Sequence, residues 1–418
     1  MSTTDIADED IALIEDAARK FVQTEVAPHL HAWEEAGELP RSLHRRAAEM
    51  GWLEMGYPEE LGGTPTPWKL RNALTIALAR AAGSGGLMAG LFSHNIGLPP
   101  VVRHGSAALQ REVIPDVLAG RKISALAITE PGGGTDVSAL KTTARREGDE
   151  YVVDGEKTFI TSGMRADWLT VAVRTDLKNK GPMGISMLMV PGDAVGLSRS
   201  PLQKMGWLCS DTAQLRFDGV RVPARYLVGN EGEGFKMILT NFNGERLSMA
   251  ALALGFSEAC YDEALSWAQQ RKTFGMALLD HQVIRHKLMD MKMRIESTRA
   301  WLNAVSARAD RNWGQIPNSP RRETTPGDMS AGGHAKLVSD PNFRSAKGAE
   351  WVAQVCLLKN HATQTMQFCA DQGVQILGGM GFMRGTTSER IYREVKVMMI
   401  GGGAEEIMKE LASRQLNI

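Results

Sequence analysis

The chain has 418 residues, a formal net charge of zero and 43% hydrophobic residues. A chain this long is expected to fold as two or three packed domains around separate cores. Zero net charge argues against a general nucleic-acid or acidic-membrane binder, because no basic field would draw either partner in.

The N-terminus has neither a basic start nor an apolar run, so it reads as neither a secretory signal nor a transit peptide. Cys209, Cys260, Cys356 and Cys369 form no CxxC pair. That suits a reducing compartment, and a cytoplasmic location is expected. Behind the acidic cluster Asp8-Glu9-Asp10, residues Ile11, Ile14, Ala18 and Phe21 recur at helical spacing. Pro40 and Gly51 bracket a second expected helix, and residues 72–82 a third. Residues 83–102 carry no Lys, Arg, Asp or Glu. Their glycines and the pair Pro99-Pro100 nevertheless fit a buried helix followed by a turn better than a membrane span.

The character changes near Lys122. Residues 123–128 are mostly apolar, and strand-like runs follow at 151–153, 157–160, 168–173, 185–190 and 214–217. Asp154-Gly155 between two of these runs predicts a hairpin, and Asp218-Gly219 a further turn. With no helical crossovers between the runs, the middle reads as a small antiparallel sheet domain and not a Rossmann unit. Helical periodicity returns over roughly 235–270, 282–308 and 350–372, with a short last helix from about Ala404. The fold class is therefore α+β. Its expected parts are an N-terminal helical domain (1–121), a middle β domain (122–232) and a C-terminal helical bundle (233–418). The bundle contains a Pro-, Gly-, Ser- and Arg-rich insertion at 311–348, expected to be either a disordered surface loop or a functional insertion.

Three glycine clusters, Gly132-Gly133-Gly134, Gly378-Gly379 and Gly401-Gly402-Gly403, invite a dinucleotide reading. None lies at a strand-to-helix turn of a βαβ unit, so as nicotinamide fingerprints they are weak. The nine histidines show no metal-ligand spacing. The segment Ala127-Ile-Thr-Glu-Pro-Gly-Gly-Gly-Thr-Asp136, however, resembles the signature of the acyl-CoA dehydrogenase family. So, in the family's order, do Lys157-Thr-Phe-Ile-Thr-Ser162, Arg271-Lys-Thr-Phe-Gly275, Gln375-Ile-Leu-Gly-Gly-Met-Gly-Phe382 and Ile400-Gly-Gly-Gly-Ala-Glu-Glu-Ile407. The closest likeness is to the long-chain and isovaleryl type.

The resemblance implies FAD. It places Ile128 and Thr129 at the pyrimidine edge of the flavin, Thr161 near N5, Phe159 over the ring's other face, and Gly134 and Thr135 near the phosphates. Arg271, Thr273, Phe274, Gln282, Gln375 and Gly379 match the positions where a neighbouring subunit completes the adenine half, which implies a homotetramer. Ala404 and Glu406 match further cofactor contacts. Taken without the family, Thr129 and Thr161 are ordinary strand residues.

Dehydrogenation needs a carboxylate to remove the α-proton. In many members it lies in the C-terminal segment, at the position held here by Gly402, and glycine removes no proton. The alternative family position, on the first long helix after the sheet immediately before an arginine, reads Asn243-Gly244-Glu245-Arg246. Glu245 is therefore the expected base. Gly402 is expected to supply only its backbone N–H to the thioester oxygen. Glu405 and Glu406 match positions directed toward the cofactor or the helix start. Gly401, Arg246 and Asn243 are expected beside the acyl-CoA. Gly86, Ala89, Gly90, Gly97 and Pro99 are expected to leave room for a medium, long or branched acyl chain. Electron-transfer flavoprotein is the expected partner. The rivals are an oxygen-using relative of the same fold and a non-catalytic acyl-CoA-binding subunit.

Overall fold

The computed structural model describes residues 7–313 and 346–418. The chain opens with α1 (Asp8–Phe21), α2 (Leu30–Ala36), α3 (Arg41–Glu49) and α4 (Trp68–Ala82). The first turn of α1 is acidic and its last turn basic, as the helix dipole favours. The uncharged stretch then forms three short helices: α5 (Gly85–Leu91), α6 (His94–Gly97) and α7 (Pro99–His104). Pro99-Pro100 thus opens a helix where the sequence predicts a turn. Proline suits this position because its missing N–H has no intrahelical partner there. An additional helix, α8 (Ala107–Leu118), was not among the expected elements.

Eight strands follow: β1 (Ser124–Ala127), β2 (Thr143–Glu147), β3 (Glu150–Thr161), β4 (Trp168–Arg174), β5 (Ile185–Pro191), β6 (Leu197–Pro201), β7 (Thr212–Pro223) and β8 (Leu227–Val228). They form one sheet ordered β6-β7-β3-β2-β4-β5-β8, with β1 paired to β4. Most pairs are antiparallel, but β1 runs parallel to β4, and β2 meets β4 through the single parallel pair Thr143–Arg174. Strand β4 is buried along its whole length, which explains its unbroken apolar run.

The expected hairpin at Asp154-Gly155 does not form. Strand β3 runs straight through it, and β7 runs straight through Asp218-Gly219. The two dipeptides face each other in a β-bulge, where one residue between Val153 and Gly155 opposes two between Phe217 and Val220. The Gly219 N–H donates to Asp154 Oδ1 at 2.7 Å, and Gly219 supplies the φ of +62° that the bulge needs. The real hairpin turn is Gly148-Asp149, which closes the Glu147–Glu150 pair with Gly148 at φ +62°.

The C-terminal part consists of α9 (Gly234–Gln270), a two-strand ribbon of β9 (Lys272–Thr273) and β10 (Met276–Ala277), α10 (Gln282–Trp313), α11 (Ala346–Leu377), α12 (Gly379–Phe382), α13 (Thr387–Ile400) and α14 (Glu405–Leu416). The expected insertion at 311–348 begins inside α10 and ends inside α11; its residues 314–345 lie outside the described residues. Helix α9, about 55 Å long, is the axis of the bundle. Its middle is buried all round by Ala250, Ala251, Ala253, Leu254, Gly255 and Phe256. A Cβ on Gly255 would lie 2.6 Å from the Ile76 carbonyl oxygen, so α4 and α9 meet backbone to backbone at that point. One core joins α1–α5 to the C-terminal helices; a second joins the sheet to α7, α8 and the start of α9. The two cores leave a cleft between them.

Candidate active site

That cleft is a cavity of 1540 Å³, lined from the sheet side by residues 128–131, 133–138 and 159–161 and from the helical side by α4, α5, α9 and the turn 400–404. A second bulge shapes the sheet side. Between Lys157–Leu215 and Ile160–Ala213, β3 carries one residue more than β7. The extra residue turns Phe159 outward at φ +60°, leaving its ring 70% exposed on the cavity wall. A positive φ on a bulky aromatic is costly, and here it presents a flat apolar ring to the cavity. The Thr158 N–H donates to the Thr129 carbonyl at 2.8 Å, joining the bulge to the glycine-rich loop.

Lys157 anchors that loop. Fully buried, it donates to the Ile128 carbonyl at 3.0 Å and to Glu130 Oε1 at 2.8 Å. Glu130 also accepts from the backbone N–H groups of Lys141 at 2.6 Å and Thr142 at 2.9 Å. Burial works against ionising Glu130, but the Lys157 ammonium and these donors hold its carboxyl below the usual range. This device was missed in the sequence, although a lysine inside an apolar strand run is the signal that could have revealed it. Ile128, Thr129, Gly134, Thr135, Phe159 and Thr161 all line the cavity. A Cβ on Gly134 would sit 3.1 Å from Thr129 Cγ2.

On the helical side Glu245 projects from α9 into the cavity. Its Oε2 is buried without a hydrogen-bond partner among the described residues. Burial pushes its pKa upward, against the pull of Arg246 and Lys359. A Cβ built on Gly402 would lie 3.7 Å from Glu245 Oε1. The two alternative positions for a carboxylate, 157 residues apart in sequence, therefore converge on one point in space.

Two cations hold the glycine turn there. Arg246 Nε donates to the Gly402 carbonyl at 2.9 Å, and Lys359 Nζ to those of Met399 at 3.0 Å and Gly403 at 2.8 Å. Burial, with Arg246 nearby, pushes Lys359 down to about 8. Gly402 adopts φ +65°, and its N–H donates to no described backbone carbonyl. Gly401 and Ala404 line the cavity beside it.

Other expected residues stand elsewhere. Asn243 is not in the cavity lining; its Oδ1 accepts from Arg246 at 3.2 Å. Glu406 is exposed in the first turn of α14, and Glu405 is bonded to Gln364 at 2.6 Å and Lys409 at 2.7 Å. Arg271, Thr273, Phe274, Gln282, Gln375 and Gly379 are absent from the lining. They fall at the end of α9, on the β9–β10 ribbon, at the start of α10, at the end of α11 and at the start of α12; Phe274, in the ribbon's turn, is 98% exposed at φ +51°. Exposed Phe382 and Met380 lie on the neighbouring α12.

The reason expected for the small residues of 83–102 is corrected. Of Gly86, Ala89, Gly90, Gly97 and Pro99, only Ala89 lines the cavity. A Cβ on Gly86 would come within 2.8 Å of Cys209 Sγ, on Gly90 within 2.9 Å of Leu39, and on Gly97 within 2.7 Å of Ser124 Oγ. These glycines allow close packing rather than leaving space.

Trp207 was also missed. It lines the cavity at φ +54°, and its Nε1 is buried without an acceptor. Its backbone N–H donates to Glu394 at 2.9 Å; Glu394 also accepts from the Gly85 N–H at 2.7 Å. The exposed Phe159 ring, the Thr129 and Thr161 hydroxyls, the unsatisfied Trp207 N–H and the open backbone at Gly132 and Gly133 together suit a planar, polar-edged ring system such as a flavin.

The family models described as acyl-CoA dehydrogenase N-terminal, middle and C-terminal domains match residues 8–121, 125–220, and 232–325 with 342–417. A probable acyl-CoA dehydrogenase of Bacillus subtilis is 32% identical over 406 residues, 97% of each chain. The rat mitochondrial long-chain specific acyl-CoA dehydrogenase is 31% identical over 97% of this chain and 86% of its own. A crystal structure of a probable acyl-CoA dehydrogenase from Mycobacterium abscessus superposes with a TM-score of 0.85 at 41% identity, covering 97% of this chain and 98% of that one.

Proposed function

The chain belongs to the acyl-CoA dehydrogenase family, and from that premise we propose that Glu245 is the base that removes the α-proton of an acyl-CoA thioester. The family is one of FAD-dependent oxidoreductases, and FAD when bound supplies the acceptor for the β-hydride. The observation that carries the proposal is the convergence of Glu245 on the space a side chain at Gly402 would occupy.

The chain's own residues divide the work. Glu245, desolvated and lacking a hydrogen-bond donor on Oε2, has its basicity raised toward working pH. Arg246 and Lys359 engage the carbonyls of residues 399, 402 and 403 and so hold the turn. The Gly402 N–H, which donates to no described backbone carbonyl, would stabilise charge developing on the thioester oxygen. Ile128, Thr129, Gly134, Thr135, Thr161 and Ala404 would hold the isoalloxazine and phosphate portions, with Phe159 against the ring face. Arg246, Gly401 and, less directly, Asn243 would border the thioester.

We read the acyl chain as medium, long or branched, which the cavity's size and the long-chain name of one relative support. Arg271, Thr273, Phe274, Gln282, Gln375, Gly379 and Glu406 form a cofactor surface completed between subunits of a homotetramer; exposed Phe274 and Phe382 support a covered face there. Electron-transfer flavoprotein is the proposed electron acceptor and the cytoplasm the proposed location. Among the described residues no helix is long and apolar enough to cross a membrane. The domain limits proposed are 1–121, 122–232 and 233–418.

Anaerobic bleaching of the flavin band by a panel of acyl-CoA thioesters tests this reading in wild type and Glu245→Gln. Bleaching in wild type but not in a variant that keeps its flavin supports the base; equal bleaching in both removes Glu245 from the role.

A further inference from the structure

Arg71 lies on α4 and lines the same cavity. Among the described residues its guanidinium makes no hydrogen bond and meets no carboxylate at ion-pair distance. It lies over the Trp68 ring, 4.1 Å from the centroid, and close against Gly56, where an added Cβ would be 2.8 Å from Arg71 Cζ. Asp310, the carboxylate whose field reaches it, is engaged by the backbone N–H groups of Trp68 at 2.7 Å and Lys69 at 3.3 Å. The other ionisable neighbours are Tyr57 and the like-charged Arg103.

A guanidinium does not deprotonate in a protein, so its charge stays in this wall. Removing such a charge from water is expensive unless an anion or several acceptors meet it. The nearby polar side chains are already engaged. The Asn72 amide donates to Ser306 at 2.8 Å, and the Thr75 hydroxyl to the Arg71 carbonyl at 2.9 Å. The Asn95 Oδ1 accepts from the Tyr57 hydroxyl at 3.2 Å. The guanidinium is thus an uncommitted five-donor fork facing a cavity whose remaining surface there is Trp52, Met55, Phe92 and Ile96. Sequence features alone do not mark it, because an arginine in a helix is ordinarily a solvated one.

We propose that Arg71 binds an anionic oxygen of the substrate, carried at the distal end of the acyl chain, so that the preferred thioester is one whose acyl group ends in a carboxylate. This rests on the acyl-CoA reading of the cavity. A CoA phosphate offers the same chemistry. The acyl end is favoured because Arg71 lines the cavity together with Phe92, Ser93, Asn95 and Ile96 of the uncharged stretch. Two parallel hydrogen bonds from a guanidinium to a carboxylate give both affinity and orientation.

Calorimetric binding of paired enoyl-CoA thioesters of equal chain length, one methyl-ended and one ω-carboxylated, to the FAD-loaded protein tests the proposal. Turnover plays no part in this readout, so a failure of Glu245 as base leaves the result intact. Wild type should bind the carboxylated member at least about tenfold more tightly. Arg71→Leu should erase or invert that ratio, and Arg71→Lys should keep part of it. An unchanged flavin spectrum and melting temperature confirm folding; should Arg71→Leu lose its flavin, Arg71→Gln takes its place. No wild-type preference overturns the proposal. An equal loss for both thioesters in Arg71→Leu that vanishes with phosphate-free pantetheine thioesters assigns Arg71 to CoA and overturns the acyl-end assignment.

Discussion

Two groups of family-matched residues behave differently in this molecule. Those at 128–161, 245–246 and 401–404 gather around one cavity, where each backbone irregularity has a visible partner: the Phe159 bulge, the Lys157–Glu130 pair, and the Gly402 turn held by Arg246 and Lys359. Those at 271–282 and 375–379 lie outside the cavity lining, and there Phe274 stands 98% exposed at φ +51° with His281 against its ring. Both regions carry strained aromatics. Only in the first does the same chain enclose the space that the strain serves. One chain therefore encloses the cavity proposed as catalytic, whereas the outer residues are those proposed to form a cofactor surface with a neighbouring subunit.

The largest expected effect probes the inner region. Glu245→Gln should slow flavin reduction by about 10²–10⁴-fold, the usual worth of a positioned general base, while the flavin stays bound. Next, Lys157→Met would leave Glu130 buried without its cation. The expected cost is about 3–5 kcal/mol in denaturant unfolding, together with a loosened flavin; an unchanged midpoint would show that the pair does not hold the loop.

The outer region is broken by Phe274→Asp. Light scattering should report a smaller assembly with weaker FAD retention, while the melting of the isolated chain changes little because Phe274 contributes almost no buried area within it. An unaltered mass and FAD affinity would make the outer face ordinary surface.

The smallest effect concerns Glu394, which burial pushes up to about 7 from an ordinary 4.5. A carboxyl raised in this way favours the folded state most when protonated. Its contribution is present below pH 4.5 and is lost as pH rises to about 7. Glu394→Gln should flatten that part of the stability–pH curve, and an unchanged slope would place the titration elsewhere.

The sequence by itself determined the order helices, sheet, helices and the main helical stretches, because hydrophobic periodicity is a local property that burial preserves. The resemblance at five segments, one of them showing the absence of a side chain at Gly402, and at the separate Asn243–Arg246 position that offers Glu245, supplied the candidate site. What the sequence could not decide was whether Asp154-Gly155 and Asp218-Gly219 are turns or a shared bulge. A two-residue motif has the same local preferences in either setting, and only the pairing of β3 with β7 chooses between them. Nor could it distinguish glycines that leave space from glycines that let backbones touch, as at Gly86, Gly90 and Gly97, since that depends on what arrives from the other core. The buried charges Lys157, Lys359 and Glu394 and the half-buried Arg71 belong with these. A charged residue read in sequence is by default a solvated one, and only the tertiary structure, by removing the water and supplying or withholding a partner, decides whether it holds a loop, carries a turn or waits for a ligand.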